Sequence, residues 1–136
     1  MITESEVHEF LNRFEQLSRA RDFDLIEHLV HADALFRFND GDFRGRAAVR
    51  EIFEKTWALS ADDPDEKYYL TDIEILSADQ NSAAATFTYN WEGGSADQAF
   101  SIRGRGTFVL VKADGQLQII HEHLSRVPKQ QLARAD

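Results

Sequence analysis

Two histidines near the end of the chain, His121 and His123, have the residue type and spacing best suited to chemistry. The segment Leu117–Arg126 reads as a β-strand, and side chains alternate between the two faces of a strand. One face would therefore carry Leu117, Ile119, His121, His123 and Ser125. A strand of this kind begins in an apolar core and ends in a polar pocket. Imidazole titrates near neutral pH, so either side chain could contact a ligand or transfer a proton there. Alternatively, both histidines hydrogen-bond to neighbouring strands or line a dimer interface.

The His-Glu-His string also has the composition of a metal site, but the geometry of a strand argues against one. Glu122 would point to the opposite face, so only two imidazoles would converge. A catalytic zinc usually has three protein ligands. We therefore predict no metal and no cofactor.

Aromatic residues supply further candidate ligand contacts. Tyr89 and Trp91 lie on the apolar face of a predicted strand, near its end. A ring with a polar tip suits the mouth of a pocket at that position. Trp57, at the end of a predicted helix, could close the same pocket. Packing in the core is the alternative for these rings.

Charged residues complete the candidate set. Arg103 and Arg105 share one face of a predicted strand, and a guanidinium offers a planar fork for a carboxylate ligand. The opposite face is more apolar, which favours a solvated position for both arginines, although a one-residue shift in register would exchange the faces. Asp40, beside Gly41, could act as a base or orient a histidine. It could equally stabilise the turn in which it lies.

Composition limits the classes of function. The chain has 136 residues, enough for one domain with a real core. Its net charge of −9 argues against nucleic acid as a partner, since that binding needs clustered Lys and Arg. There is no cysteine, and neither a secretion signal nor an apolar run long enough to span a membrane. We expect a cytoplasmic protein that binds neither nucleic acid nor membrane.

The first half of the chain reads as helical. Thr3 and Glu6 fit a capping box, and apolar residues spaced three and four apart predict a helix over residues 4–20. Asp22 is predicted to cap a second, shorter helix, and a third helix follows Gly45. A short strand is predicted at Ala34–Phe38 between them.

The second half reads as strands. Four are predicted: Tyr68–Ala78, Ala83–Trp91, Phe100–Lys112 and Leu117–Arg126. Short turns between them imply antiparallel pairing, because parallel strands need a long crossover. Helices followed by a meander of strands predict a single α+β domain over residues 1–128, with a tail at 129–136.

Three stretches of the chain resemble the nuclear transport factor 2-like superfamily. The match is strongest to its SnoaL-like branch and to the related association domain of calcium/calmodulin-dependent kinase. The stretches are residues 11–38, residues 45–57 (GRAAVREIFEKTW) and residues 114–128 (DGQLQIIHEHLSRVP). The last is similar to a closing Asp-Gly-x-Trp and His-x-His-x-Ser strand of the family, with Leu117 in place of the tryptophan. The resemblance implies a cone-shaped barrel in which three N-terminal helices pack on a strongly curved antiparallel sheet. It also implies a homodimer formed through the exposed face of that sheet.

The resemblance implies more than one activity. Steroid isomerases of this fold use an aspartate base on the first strand and a tyrosine in the first helix, which correspond here to Phe38 and Phe14. Phenylalanine can neither accept nor donate the required proton, so isomerase chemistry is not expected unless Asp40 serves as base. Dehydratases and cyclases of the fold use an Asp–His arrangement, for which Asp40, His121 and His123 are candidates. Arginines in the cavity of the kinase-association branch bind small carboxylates, a role open to Arg103.

Three functional hypotheses follow. The first is a binding module for a small organic molecule, with carboxylates as one ligand class, contacted by a set of polar and aromatic residues: Trp57, Tyr89, Trp91, Arg103, His121 and His123. The second is a cofactor-independent lyase, isomerase or cyclase, with His121 or His123 as the general base and Asp40 as its partner. The third is a dimeric accessory domain without chemistry.

Overall fold

The first α-helix begins at the predicted capping box. The computed structural model describes residues 1–94 and 99–127, and helix α1 spans Glu4–Ser18. The Thr3 hydroxyl accepts a hydrogen bond from the Glu6 amide at 3.1 Å, and the Thr3 amide donates to the Glu6 carboxylate at 3.2 Å. Both bonds satisfy amides that an α-helix leaves free at its start. The apolar stripe of α1, including Phe14, is buried.

The structure corrects the predicted second helix. Asp22 does accept a hydrogen bond from the Asp24 amide, but the segment forms two single-turn 3₁₀ helices, Phe23–Leu25 and Glu27–Leu29. Strand β1 begins at Val30 rather than Ala34. The segment between Asp22 and Val30 is therefore long enough for isolated turns only. An α-helix needs several turns to offset the cost of its nucleus. The predicted third helix is therefore the second, α2 (Arg46–Ala58).

All four long strands predicted from the sequence are present, within a sheet of six. The strands are β1 (Val30–Phe38), β2 (Gly41–Arg44), β3 (Lys67–Ala78), β4 (Ser82–Gly93), β5 (Phe100–Ala113) and β6 (Gln116–Arg126). Their order in the sheet is β2-β1-β6-β5-β4-β3, and the sheet is curved without closing. All neighbouring pairs are antiparallel except β1 with β6, which are parallel. The predicted tail at 129–136 lies outside the described residues.

The core lies between the two α-helices and the face of the sheet that we call the inner face. Fully buried side chains of that face include Phe36, Phe108 and Ile119. Phe14 of α1 meets Phe108 edge to face, with ring centroids 5.3 Å apart. Edge-to-face contact is a favoured geometry for aromatic rings. Within residues 1–94 and 99–127, no helix is long and apolar enough to cross a membrane.

Candidate functional site

A cavity of about 360 Å³, which we call the cone cavity, lies between the helices and the inner face of the sheet. Most of its lining is apolar or aromatic, and it includes Phe14, Phe38, Phe53, Trp57, Tyr68, Tyr89, Trp91, Ile102 and Leu124. Polar and charged groups also border it: Ser18, Asn39, Asp40, Thr56, Glu66, Glu122 and Arg126. Phe14 and Phe38 line the cavity without filling it. A mostly apolar cavity with a few polar groups is the usual form of a small-molecule site.

Glu122 is the most unusual group in the cone cavity. Its side chain is 1% exposed, and its Oε2 atom accepts no hydrogen bond from the residues that the structure describes. Burial raises the pKa of this carboxyl to about 8. The charged form is disfavoured because few polar groups replace the water that it loses. At neutral pH this carboxyl is therefore largely protonated, and Glu122 borders the cone cavity.

Two tyrosines stand close to this carboxyl. The rings of Tyr68 and Tyr89 stack, with centroids 6.3 Å apart and planes inclined by 21°. Burial raises the pKa of the Tyr68 hydroxyl well above its usual value, and the neighbouring Glu122 raises it further. Burial also raises the pKa of Tyr89, an effect that Arg126 opposes. Both hydroxyls thus stay protonated and can donate hydrogen bonds.

The mouth of the cone cavity carries charge of both signs. Asp40 and Arg126 are exposed there. Glu66 accepts a hydrogen bond from the Arg21 guanidinium at 3.0 Å, so its charge is already paired. The Ser18 hydroxyl, at the end of α1, is buried and has no hydrogen-bond partner among the described residues.

A β-bulge decides which face of β6 enters the cavity. Ile119 pairs with Leu110 and His121 pairs with Val109, so Ile120 is an extra residue without a partner on β5. A bulge of this kind breaks the period-two alternation of a strand. Ile119 and Glu122 consequently face inward. The prediction that His121 and His123 share the inner face with Ile119 is corrected, because both lie on the outer face.

The outer positions of the two histidines differ in their contacts. The Nδ1 atom of His121 lies 2.7 Å from the backbone carbonyl of Leu35, so this nitrogen carries the proton and donates it. His123 is exposed beside a shallow groove of the outer face. The imidazole rings are 6.3 Å apart. Asp40 borders the cone cavity and neither histidine does, so among the described residues Asp40 forms no hydrogen bond or ion pair with His121 or His123. The roles proposed for these residues remain predictions.

Arg103 and Arg105 are also on the outer face. Both are exposed, whereas the alternate residues Ile102, Gly104 and Phe108 face inward. Arg105 borders the same outer groove as His123. The carboxylate ligand predicted from Arg103 therefore lacks that cation in the cone cavity. The homodimer expected through this face stays a prediction.

The aromatic candidates lie together in the structure, and their contact with a ligand stays a prediction. Trp57, Tyr89 and Trp91 all border the cone cavity. Trp57 packs edge to face on Phe53, with centroids 5.4 Å apart. The sequence interpretation missed Glu122, Tyr68 and Arg126. Two signals point to Glu122: the consecutive apolar pair Ile119-Ile120 inside a strand, and Leu124 as the one apolar residue between Glu122 and the end of β6.

A family model described as the SnoaL-like domain matches residues 7–130 of the sequence. The chain belongs to the SnoaL-like domain family. The match begins within α1 and covers α2 and all six strands of the sheet. No curated protein sequence matches this SnoaL-like domain.

Solved structures show the same fold as this SnoaL-like domain. A nuclear transport factor 2-like superfamily protein from Salmonella enterica is 22% identical, with a TM-score of 0.77 over 91% of this chain and 90% of that one. A Xanthomonas campestris protein described as a calcium/calmodulin-dependent protein kinase II association domain is 18% identical, with a TM-score of 0.78 over 95% and 91%. Aln2 from a Streptomyces species is 16% identical, with a TM-score of 0.79 over 100% and 99%. At these identities the likeness concerns the fold alone.

Proposed function

We propose that this SnoaL-like domain binds a small organic molecule in the cone cavity. The observation that carries the proposal is the buried carboxyl of Glu122, which borders a cavity of about 360 Å³ and leaves Oε2 without a partner among the described residues. Buried polar groups in proteins nearly always have hydrogen-bond partners, and an unpaired one costs about 1–3 kcal/mol. A ligand that forms a hydrogen bond with this carboxyl would reduce the cost.

The remaining lining supports a ligand with a sizeable apolar body. Trp57, Trp91 and Leu124 offer apolar surface that such a body would cover. Burial of apolar surface contributes about 25 cal/mol per Å², so a ligand that fills the cavity gains most of its affinity there. The cavity volume also lies within the range of about 300–1,000 Å³ found for small-molecule sites.

The two tryptophans make binding measurable without a label. The chain has only two, Trp57 and Trp91, and both border the cone cavity. We expect members of a panel of small aromatic and alicyclic molecules to change tryptophan fluorescence and to raise the melting temperature. Replacing Thr56, which lines the cavity, with phenylalanine should weaken such binding at least about tenfold by filling the space, since tenfold corresponds to 1.4 kcal/mol.

A matched control distinguishes blockage from general damage. Thr88 lies on β4 beside the outer groove, so Thr88→Phe makes the same substitution on the other side of the sheet. That variant should bind as the unmodified chain does. Equal affinity in the Thr56→Phe variant, or no binding by any member of a broad panel, would contradict the proposed function.

A second candidate function is acid–base catalysis by Glu122. A general acid or base works best when its pKa lies near the working pH, and burial raises the pKa of Glu122 to about 8. The hydroxyls of Tyr68 and Tyr89 are donors for a developing enolate oxygen, the usual stabilising group in such reactions. The reaction class favoured is proton abstraction beside a carbonyl: the C–H bond breaks, its electrons enter the enolate, and Glu122 receives the proton.

Deuterium exchange tests this candidate with a simple probe. A fused-ring ketone such as β-tetralone should exchange its acidic hydrogens in D₂O about 100-fold faster with the protein than without it. The rate should rise with pH and level off above about 8, because the ionised carboxylate is the base. Glu122→Gln should abolish the acceleration, whereas Glu74→Gln, an exposed carboxylate of β3, should keep it. Unchanged exchange in Glu122→Gln would exclude this role.

A further inference from the structure

The charges around the cone cavity favour one class of ligand over others. Three carboxyl groups border it, those of Asp40, Glu66 and Glu122, and Arg126 is the cation among its described lining residues. The charge of Glu66 is paired with Arg21 at 3.0 Å. Glu122 lies deepest, at 1% exposure, whereas Arg126 is exposed at the mouth. An anionic ligand would therefore place its charge beside carboxyl groups if it entered the interior.

Two buried oxygens of the cavity lining also lack a hydrogen-bond donor in the part of the chain that the structure describes. Oε2 of Glu122 and Oγ of Ser18 are buried oxygens without partners among the described residues. An ammonium group has three donors and no acceptor, so it can satisfy such oxygens without leaving an unpaired acceptor of its own. A carboxylate brings only acceptors, so it would depend on the protonated form of Glu122 and would place a second negative charge beside this carboxyl once it ionised.

The aromatic rings provide a third, independent preference. Tyr68 and Tyr89 stack beside Glu122, and the two tryptophans border the same space. The faces of aromatic rings attract cations, by about 0.5–1 kcal/mol at exposed sites and about 2 kcal/mol when desolvated. Carboxyl and ring faces together thus stabilise positive charge.

We propose that the cone cavity takes a small, largely apolar molecule that carries one ammonium group, with the Glu122 carboxylate as its counter-ion. This inference rests on the proposed binding function and names the class of ligand. The apolar body would contact Trp57, Trp91 and Leu124, and the ammonium would meet Glu122 beside the two stacked tyrosines.

Binding of such a cation should release a proton from the protein. Because burial raises the pKa of Glu122 to about 8, the carboxyl is largely protonated at neutral pH and must ionise to pair with the ammonium. The released proton goes to the solvent. The other titratable or charged groups near Glu122 are Glu15 of α1, Tyr68 of β3, Tyr89 of β4 and Arg126 of β6, with Asp40 and Glu66 at the mouth. No histidine borders the cavity in the part of the chain that the structure describes.

Three probes with one apolar body separate the possible ligand classes. Adamantyl amine, adamantyl alcohol and adamantyl carboxylate differ only in their polar group and do not interfere with tryptophan fluorescence. By calorimetry, we expect the amine to bind at least about tenfold more tightly than the alcohol, and the carboxylate to bind most weakly. Amine affinity should rise from about pH 6 to about pH 8, and calorimetry in buffers of different ionisation enthalpy should show proton release.

Glutamine at position 122 tests the counter-ion directly. Glu122→Gln should remove both the preference for the amine and the release of a proton. The variant should still bind the alcohol, and that binding also shows that the variant is folded. Glu74→Gln removes an exposed carboxylate and should change neither. Equal binding of amine and alcohol, or tightest binding of the carboxylate, would overturn the ammonium assignment while leaving the binding function in place. Failure of all three probes to bind would contradict the binding function itself.

Discussion

Replacing Glu122 with glutamine should make the protein more stable at alkaline pH, by about 3 to 5 kcal/mol relative to the same comparison in acid. Burial raises the pKa of this carboxyl to about 8 from a usual 4.5. Between these values the folded state holds a proton that the unfolded state has released, so the free energy of unfolding falls as pH rises. The contribution of Glu122 to the free energy of unfolding is constant below about pH 4.5, where both states hold the proton, and constant again above about pH 8, where both have released it.

Urea unfolding across this range measures the effect. The difference in unfolding free energy between Glu122→Gln and the unmodified chain should grow through the window and then become constant. Glu74→Gln removes an exposed carboxylate from β3, and its difference should stay within about 0.5 kcal/mol at every pH. Parallel stability curves for Glu122→Gln and the unmodified chain would mean that Glu122 ionises freely when the protein is folded.

Gly104→Ala should lower the free energy of unfolding by about 3 kcal/mol and also weaken ligand binding. A Cβ atom at this position would lie 2.1 Å from Cε2 of Tyr89 and 2.5 Å from the backbone oxygen of Ser125. The Tyr89 ring borders the cone cavity, and the backbone oxygen belongs to the neighbouring strand β6. Overpacking of this kind forces strain on both strands.

Gly115→Ala provides the comparison. Gly115 has a φ of +79°, but nothing lies within 4 Å of an added Cβ. Only the cost of the left-handed conformation applies there, about 1 kcal/mol. Denaturant midpoints of both variants, with the fluorescence of Trp91 as a reporter of the cavity, test the difference. Equal, small losses in the two variants would show that Tyr89 and Ser125 yield easily to the methyl group.

The sequence predicted the elements of the fold better than it predicted their faces. The capping box of Thr3 and Glu6 and the alternation that ends at Tyr89 and Trp91 are local signals, and the structure bears out both elements. The prediction of an α-helix after Asp22 was wrong, because helix propensity alone does not determine whether a short stretch forms an α-helix or 3₁₀ turns. That outcome depends on where β1 begins.

Which side chains of β6 line the cone cavity depends on one bulged residue, Ile120. A prediction from strict alternation treats Ile120 as an ordinary strand position. Strict alternation from Ile119 places His121 inside and Glu122 outside, and the bulge at Ile120 reverses both assignments. A bulge is stabilised by pairing with β5, which is distant in sequence and therefore not visible in the strand itself. The aromatic wall around Tyr89 was predictable because β4 keeps its regular alternation against β5.

The extra residue in β6 also affects how relatives of this protein should be compared. A SnoaL-like chain without the bulge would need a gap opposite Ile120 before its closing strand could be aligned with this one. Without that gap, the imidazoles of one protein would be matched with carboxyl groups that face the opposite side of the sheet in the other. Insertion or loss of one residue in this strand, beyond the bulge, would exchange a carboxyl for imidazoles in the cavity without any substitution. Changes in chain length here would thus alter the polar groups of the cavity lining.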